Sequence, residues 1–195
     1  MTTVEIISGS IAFISLCVSG YVAYRTLVQK FFGKIWLSQA IVLTHIDTTP
    51  SLGLACFLEN KGAQPGYLED IRLVVKHIQS GTRYMFYPLL TRDDYSIFES
   101  YATKDWFPFS GFYLLPKDKA SKYILFKPSN NQFNAQHGNY HIELEVRWDD
   151  SKNWTQMTQN MIVEINPEMQ SNWNDPSSPS YQVFSNHILA NRMVD

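Results

Sequence analysis

The side chains in this sequence that are best suited to chemistry are two histidines and two pairs of aspartates. His137 and His141 are four positions apart, the spacing at which two imidazoles on one helix can share a metal ion. The segment around them alternates like a strand, however, and four residues of extended chain span about 13 Å, which is too far for one ion. We therefore predict no metal site from this pair.

The acidic pairs are Asp93-Asp94 and Asp149-Asp150. Paired carboxylates can act as general acid and base, but both pairs stand among turn-forming residues, where aspartate hydrogen-bonds its own backbone. The sequence contains no glycine-rich phosphate loop and no G-x-S-x-G, CxxC or HExxH motif. We predict no catalytic residue, no cofactor and no metal, and therefore a protein that is not an enzyme.

A short aromatic stretch, KDWFPFSGFYLL, is the strongest candidate for a contact surface. It has five aromatic residues within eight positions, more than one strand face can bury, and Pro108 disfavours a regular central strand. Two interpretations remain open: a purely structural role in the core, and a surface contact with a protein or with lipid. For the second, the candidate partner-contact residues are Trp106, Phe107 and Phe109, because exposed aromatic side chains anchor interfaces.

Composition restricts the class of protein. Of 195 residues, 45% are hydrophobic and 17% charged, which is typical of a folded globular chain. The net charge of -2 offers no basic surface for nucleic acid. Cys17 lies in an uncharged run and Cys56 lies in LGLACFLE, so we expect no disulfide between them and interpret Cys56 as a small buried hydrophobic residue.

The uncharged run covers residues 6–24 and predicts a transmembrane helix after a short N-terminal tail over residues 1–5. A helix of this length spans roughly 29 Å, close to the hydrocarbon thickness of a bilayer. The first residues, MTTVE, lack the positive side chains of a secretory signal, and the run lacks the polar stripe of a core helix. We expect a single-pass protein of the cell (inner) membrane that contacts the lipid bilayer through residues 6–24.

Charge after the run predicts orientation. Arg25, Lys30 and Lys34 follow it and no basic side chain precedes it, so the C-terminal domain is predicted to be cytoplasmic. Apolar residues recur every four positions from Leu27 to Trp36, and this spacing predicts a juxtamembrane helix over residues 25–37.

Small side chains form one stripe along the predicted transmembrane helix. They are spaced so that two helices could approach closely, which makes a homo-oligomer an open alternative to an unpaired anchor. These candidate helix-helix contact residues are Ser8, Ala12, Ser15, Ser19 and Ala23.

Beyond the helix the apolar period becomes two. In YHIELEVRW, Tyr140 and every second residue after it are apolar while His141 and its alternates are polar. Seven or more such segments, separated by turn signals, predict a mainly β domain over residues 38–165 that forms an antiparallel sandwich or barrel.

Three stretches in this domain resemble known modules. CFLENKGAQPGYLEDIRLVV resembles the early strand-turn-strand of bacterial immunoglobulin-like or fibronectin-like modules, with its turn at Asn60-Lys61-Gly62. YLLPKDKASKYILF resembles their leucine-proline turn, although Lys117 stands where glycine is usual.

The third stretch, GNYHIELEV, resembles the tyrosine-corner strand of these modules, with Tyr140 as the corner and Ile142 at the position often held by cysteine. The resemblance implies an immunoglobulin-like β-sandwich in which the Tyr140 hydroxyl hydrogen-bonds nearby backbone. It carries no catalytic residues.

The composition and apolar spacing of residues 166–195 predict a linker and a short C-terminal tail helix. NPEMQSNWNDPSSPS is rich in Asn, Ser and Pro, and Val183, Phe184, Ile188 and Leu189 would share one side of the helix. The whole pattern favours a membrane-tethered interaction or scaffold module whose β-sandwich binds a partner protein. The alternative is a single-pass sensor whose β domain binds a small ligand and alters the association of the anchors.

Overall fold

A computed structural model describes residues 3–92, 106–130, 133–149 and 151–187. The chain begins with helix α1 over Thr3–Ala23, which continues as a π-helical stretch over Tyr24–Val28. The span Ile7–Val28 is long and apolar enough to cross a bilayer, and none of it is buried. A membrane anchor and a secretory signal share these properties.

The predicted juxtamembrane helix over 25–37 is corrected by the structure. The helix ends at Val28, and a strand begins at Gly33 and pairs with the next strand of the chain. Ile35 is buried and Trp36 is exposed, as the two faces of a strand require. Residues four apart share a face on a strand as well as on a helix, so the apolar spacing did not distinguish the two.

Most of the described chain after the helix forms one antiparallel sheet of eleven strands. It extends before and beyond the predicted 38–165. The strands are β1 Gly33–Ile46, β2 Thr49–Asn60, β3 Gly66–His77, β4 Arg83–Arg92, β5 Phe107–Pro108, β6 Phe112–Leu114, β7 Lys119–Pro128, β8 Gly138–Trp148, β9 Thr155–Ile165, β10 Tyr181–Phe184 and β11 Asn186–His187.

The strand order is β10-β1-β2-β7-β4-β3-β8-β9-β11, and the sheet curls until β1 contacts β9. The result is a half-closed barrel. Strands β3 and β4 pair near their shared turn and then separate. The short strands β5 and β6 occupy the gap, β5 against β4 and β6 against β3.

Alternation along the strands places the core inside the curl. In β8, Tyr140, Ile142, Leu144 and Val146 are buried, as the sequence predicts. A smaller apolar cluster lies on the opposite face of the sheet, so β2 is buried on both faces. We call it the outer apolar cluster, and its buried members are Val42, Ala55, Tyr123 and Leu125.

The predicted linker and tail helix are also corrected within the described chain. Asn166 caps helix α2, Pro167–Asn174, by accepting a hydrogen bond from the Met169 amide at 2.8 Å. Tyr181–Phe184 then forms β10 against β1, with one face buried and the other exposed. The remaining residues of the predicted tail helix, Ile188 and Leu189, lie outside the described residues.

The tyrosine corner is confirmed. The Tyr140 hydroxyl donates to the Gln136 carbonyl at 3.0 Å and accepts from the Gln136 amide at 2.7 Å, closing the loop before β8. The leucine-proline turn is also present, between β6 and β7. Lys117 there adopts φ +59, the left-handed conformation that glycine adopts most readily, which explains why glycine is usual at this position.

Candidate functional site

The five residues of the aromatic stretch separate into buried and exposed groups. Phe112 is buried, Trp106 and Phe109 are half-buried, and Phe107 and Tyr113 are 65% and 61% exposed. The separation follows from β5 and β6, whose short pairings place alternate side chains on opposite faces.

Trp106 belongs to the outer apolar cluster. Its ring meets the Tyr123 ring edge-on with centroids 5.7 Å apart, and the Arg92 guanidinium lies 5.2 Å from its centroid. Trp106 is therefore half-buried and packs on this cluster.

Phe109 packs inward. Its ring meets Phe112 edge-on at 5.2 Å between centroids, and its amide donates to the Leu89 carbonyl at 3.0 Å. Of the three candidate contact residues, Phe107 is the one whose side chain faces solvent. The sequence could not separate the three, because the separation depends on the divergence of β3 and β4.

The small-residue stripe lies on a helix that is exposed on all sides. Ser8, Ala12, Ser15, Ser19 and Ala23 are all exposed, as are the apolar residues between them. The structure therefore leaves this face open without giving it a partner.

A connector, residues 29–32, joins this helix to the sheet. The Lys61 amide donates to the Phe32 carbonyl at 2.9 Å, and the Ala63 amide donates to the Gln29 carbonyl at 2.8 Å. The Phe31 ring meets Trp148 edge-on at 5.1 Å between centroids. Side chains added at Gly62 or Gly66 would collide with this segment. The connector is therefore docked on the domain.

Two clefts open on the surface of the described chain. One of about 430 Å³ lies beside the turn after β8 and is lined by Tyr67, Glu69, Arg147, Asp149, Ser151 and Lys152. The other, of about 470 Å³, lies at the opposite end of the sheet and is lined by His77, Gln79, Gln136, His137, Gly138 and Gln170. The sequence predicts neither cleft, because each is lined by residues that are far apart along the chain.

In the second cleft, the hydrogen-bond partners of His77 determine which of its ring nitrogens donates. Its Nε2–H donates to the His137 carbonyl at 3.1 Å, so Nδ1 accepts from Ser80. His141 contacts the Glu143 carboxylate at 3.3 Å on the outer face of β8. Within the described ranges, no three His, Cys, Asp or Glu residues are grouped to hold a metal. Asp93 and Asp94 lie outside those ranges.

The barrel interior is filled. The void between its mostly apolar side chains is about 10 Å³, room for about one water molecule at most. Burial raises the pKa of the Cys56 thiol far above its ordinary value, which keeps it protonated and unreactive. Burial likewise raises the pKa of Tyr140, against the opposing hydrogen bond from the Gln136 backbone.

Comparison with known proteins gives weak likenesses only. The chain matches no protein-family model and no curated protein. A family 123 glycoside hydrolase from Clostridium perfringens shares 12% identity and a TM-score of 0.38, over 70% of this chain and 27% of that enzyme. An uncharacterized β-sandwich protein from Clostridium difficile 630 shares 9% identity and a TM-score of 0.31, over 68% and 93% of the two chains. This chain thus spans about a quarter of the hydrolase.

Proposed function

We propose that this chain is a single-pass membrane protein whose β domain binds a partner protein close to the bilayer. The observation that carries the proposal is the join between helix and sheet. An apolar helix exposed on all sides leads into a docked connector, an arrangement that suits a domain presented at a set position.

Phe107 is the proposed centre of the partner contact. It is a large exposed aromatic side chain held by backbone pairing between β5 and β4, and rigid exposed aromatics carry much of the energy of protein interfaces. Its neighbours Trp106 and Phe109 are half-buried against the clusters on the two faces of the sheet, which fixes the backbone on both sides of Phe107.

The alternative is a ligand sensor. The filled interior disfavours a small molecule inside the barrel, since a drug-sized ligand needs several hundred Å³. A sensor would have to use a surface cleft, and the cleft beside His77 has the polar lining for a neutral ligand. A rise in melting temperature with small-molecule extract, lost in Gln136→Ala, would favour this alternative.

We further propose that the domain is a variant of the immunoglobulin-like sandwich. The tyrosine corner at Tyr140 and the turn at Lys117 support this grouping. This domain has one curled sheet, whereas an immunoglobulin-like sandwich has two separate layers. An experimental structure would decide between the single sheet and the two-layered sandwich.

Topology tests the anchor. Because Arg25, Lys30 and Lys34 follow the apolar span, the C-terminal domain is expected in the cytoplasm of the cell. A green fluorescent protein fused after residue 195 should fluoresce in the membrane fraction, and an alkaline phosphatase fusion should be inactive. The opposite pair of results would place the domain outside.

Photo-crosslinking tests the partner contact. We expect p-benzoylphenylalanine at position 107 to give one discrete adduct in native membranes. The matched control is position 184, where Phe184 is 69% exposed on β10. Equal labelling from both positions, or none from 107, would contradict a partner site at Phe107.

A further inference from the structure

The end of the β domain nearest the helix is built from three segments that touch one another. The connector is hydrogen-bonded to the loop over residues 61–65. This loop contacts the turn over residues 115–118, where the Lys117 amide donates to the Gly62 carbonyl and Asn60 Nδ2 donates to the Leu115 carbonyl at 2.9 Å. We call this end of the sheet the proximal face.

Large apolar side chains are exposed on the proximal face although they lie beside a well-packed core. Leu115 is 57% exposed, Phe32 is 51% exposed, and Tyr113, on β6 just before the 115–118 turn, is 61% exposed. Phe112 and Leu114, on either side of Tyr113, are buried, so the core of the sheet lies directly behind this part of the face. Side chains of this kind are suited to the boundary between water and lipid.

Lysines surround these apolar side chains. Lys30, Lys34, Lys117 and Lys119 are exposed there, and the Lys117 ammonium also donates to the Lys61 carbonyl. The lysines outnumber the acidic residues of this face: Glu59 contacts Lys61 at 3.5 Å and Lys119 at 3.4 Å, and the Asp118 carboxylate accepts from the Lys119 amide at 2.8 Å. The face therefore presents positive charge around an apolar centre.

Helix α1 leaves the domain from this same face without packing on it. Every described residue of the span Ile7–Val28 is exposed, so the helix projects away from the sheet. If that helix crosses a bilayer, the proximal face is the part of the domain next to the lipid headgroups.

We propose that the proximal face rests on the anionic headgroups of the bilayer that the helix spans. Leu115, Tyr113 and Phe32 enter the interface, and the lysines contact lipid phosphates. The inference rests on the proposed membrane anchor. It adds that lipid, and not only the helix, holds the domain in one orientation, with the His77 cleft directed away from the membrane.

Spin-label depth measurements on the full chain test this. In a chain that carries Cys17→Ala and Leu115→Cys, the thiol at position 115 is the one that reacts with the spin label, because Cys56 is buried. The chain is reconstituted in vesicles of phosphatidylcholine with phosphatidylglycerol. We expect the label to be more accessible to oxygen than to a water-soluble nickel complex. The matched control is Ile78→Cys, exposed at the opposite end, where the order should reverse.

The role of charge is tested by combining Lys117→Glu with Lys119→Glu, which should shift the label at position 115 into water. Vesicles made of phosphatidylcholine alone, which carry no net charge, should have the same effect on the label. A second label at Tyr113→Cys guards against a local effect of the Leu115 change. If the chain floats with vesicles while both labels remain in water, the anchor stands and the lipid contact is wrong; the face is then open to an acidic protein. A chain that does not float contradicts the anchor as well.

Discussion

Tyr140 shows how one hydroxyl can determine the stability of a loop. Both of its hydrogen bonds go to the backbone of Gln136, and its ring is buried against Trp173. Tyr140→Phe keeps the ring but removes both hydrogen bonds to the Gln136 backbone. We expect a loss on the order of 1–3 kcal/mol, seen as a lower melting temperature. Tyr113→Phe, at an exposed site, is the control and should melt like the parent.

The same tyrosine gives a pH signature. Its pKa is raised in the folded chain, chiefly by burial, so its contribution is fully present below the ordinary value of about 10 and is lost as the pH rises above it. The melting temperature of the parent should therefore fall more steeply above pH 10 than that of Tyr140→Phe. Parallel curves for the two proteins would show that burial does not perturb this hydroxyl.

Cys56 provides a second test at the level of one residue. The thiol is buried and its raised pKa keeps it protonated. We expect a thiol reagent at pH 8 to modify Cys17 in detergent and to leave Cys56 intact until denaturant is added. The rate at Cys56 would then report opening of the core. Rapid modification in the native protein would mean that β2 is not packed on both faces.

Helix α2 closes one end of the barrel. The Trp173 indole donates to the Ser51 carbonyl at 3.1 Å, and its ring meets Phe133 edge-on at 5.2 Å between centroids. Trp173→Ala should cost roughly 3–5 kcal/mol, and Asn166→Ala, which removes only the cap, about 1 kcal/mol. Equal effects in chemical denaturation would mean that the helix and its tryptophan unfold as one unit before the barrel.

Elements also differ in how well the sequence predicts them. The strands from β1 to β9 are marked by alternation, a local property, and most were predicted. Helix α2 was interpreted as a linker because its polar composition conceals a single buried tryptophan, although Asn166-Pro167 is a capping signal. The exposure of Phe107 could not be predicted, because it depends on where β3 and β4 separate.

At the scale of the whole molecule, the exposed small-residue stripe of α1 would let two copies of the chain associate if the helix spans a membrane as proposed. Ser15 and Ser19 lie at the middle of the small-residue stripe and are exposed. If two helices pack there, Ser15→Leu with Ser19→Leu should lower energy transfer between labelled chains in vesicles. Ser10→Leu, on the opposite side of the helix, is the matched control. No change in either variant would indicate an unpaired anchor.

The pairing of β1 with β10 has a consequence for biosynthesis. The hydrogen bond from Ser185 to the Gln39 carbonyl joins residues 146 positions apart. During translation the edge of β1 that pairs with β10 must therefore stay open until residues 181–184 have left the ribosome. Long-range pairing of this kind folds slowly and leaves strand edges open to wrong partners. Nascent chains ending before residue 181 should therefore require chaperones. The time for which β1 stays unpaired is then set by the rate of translation rather than by the rate of folding.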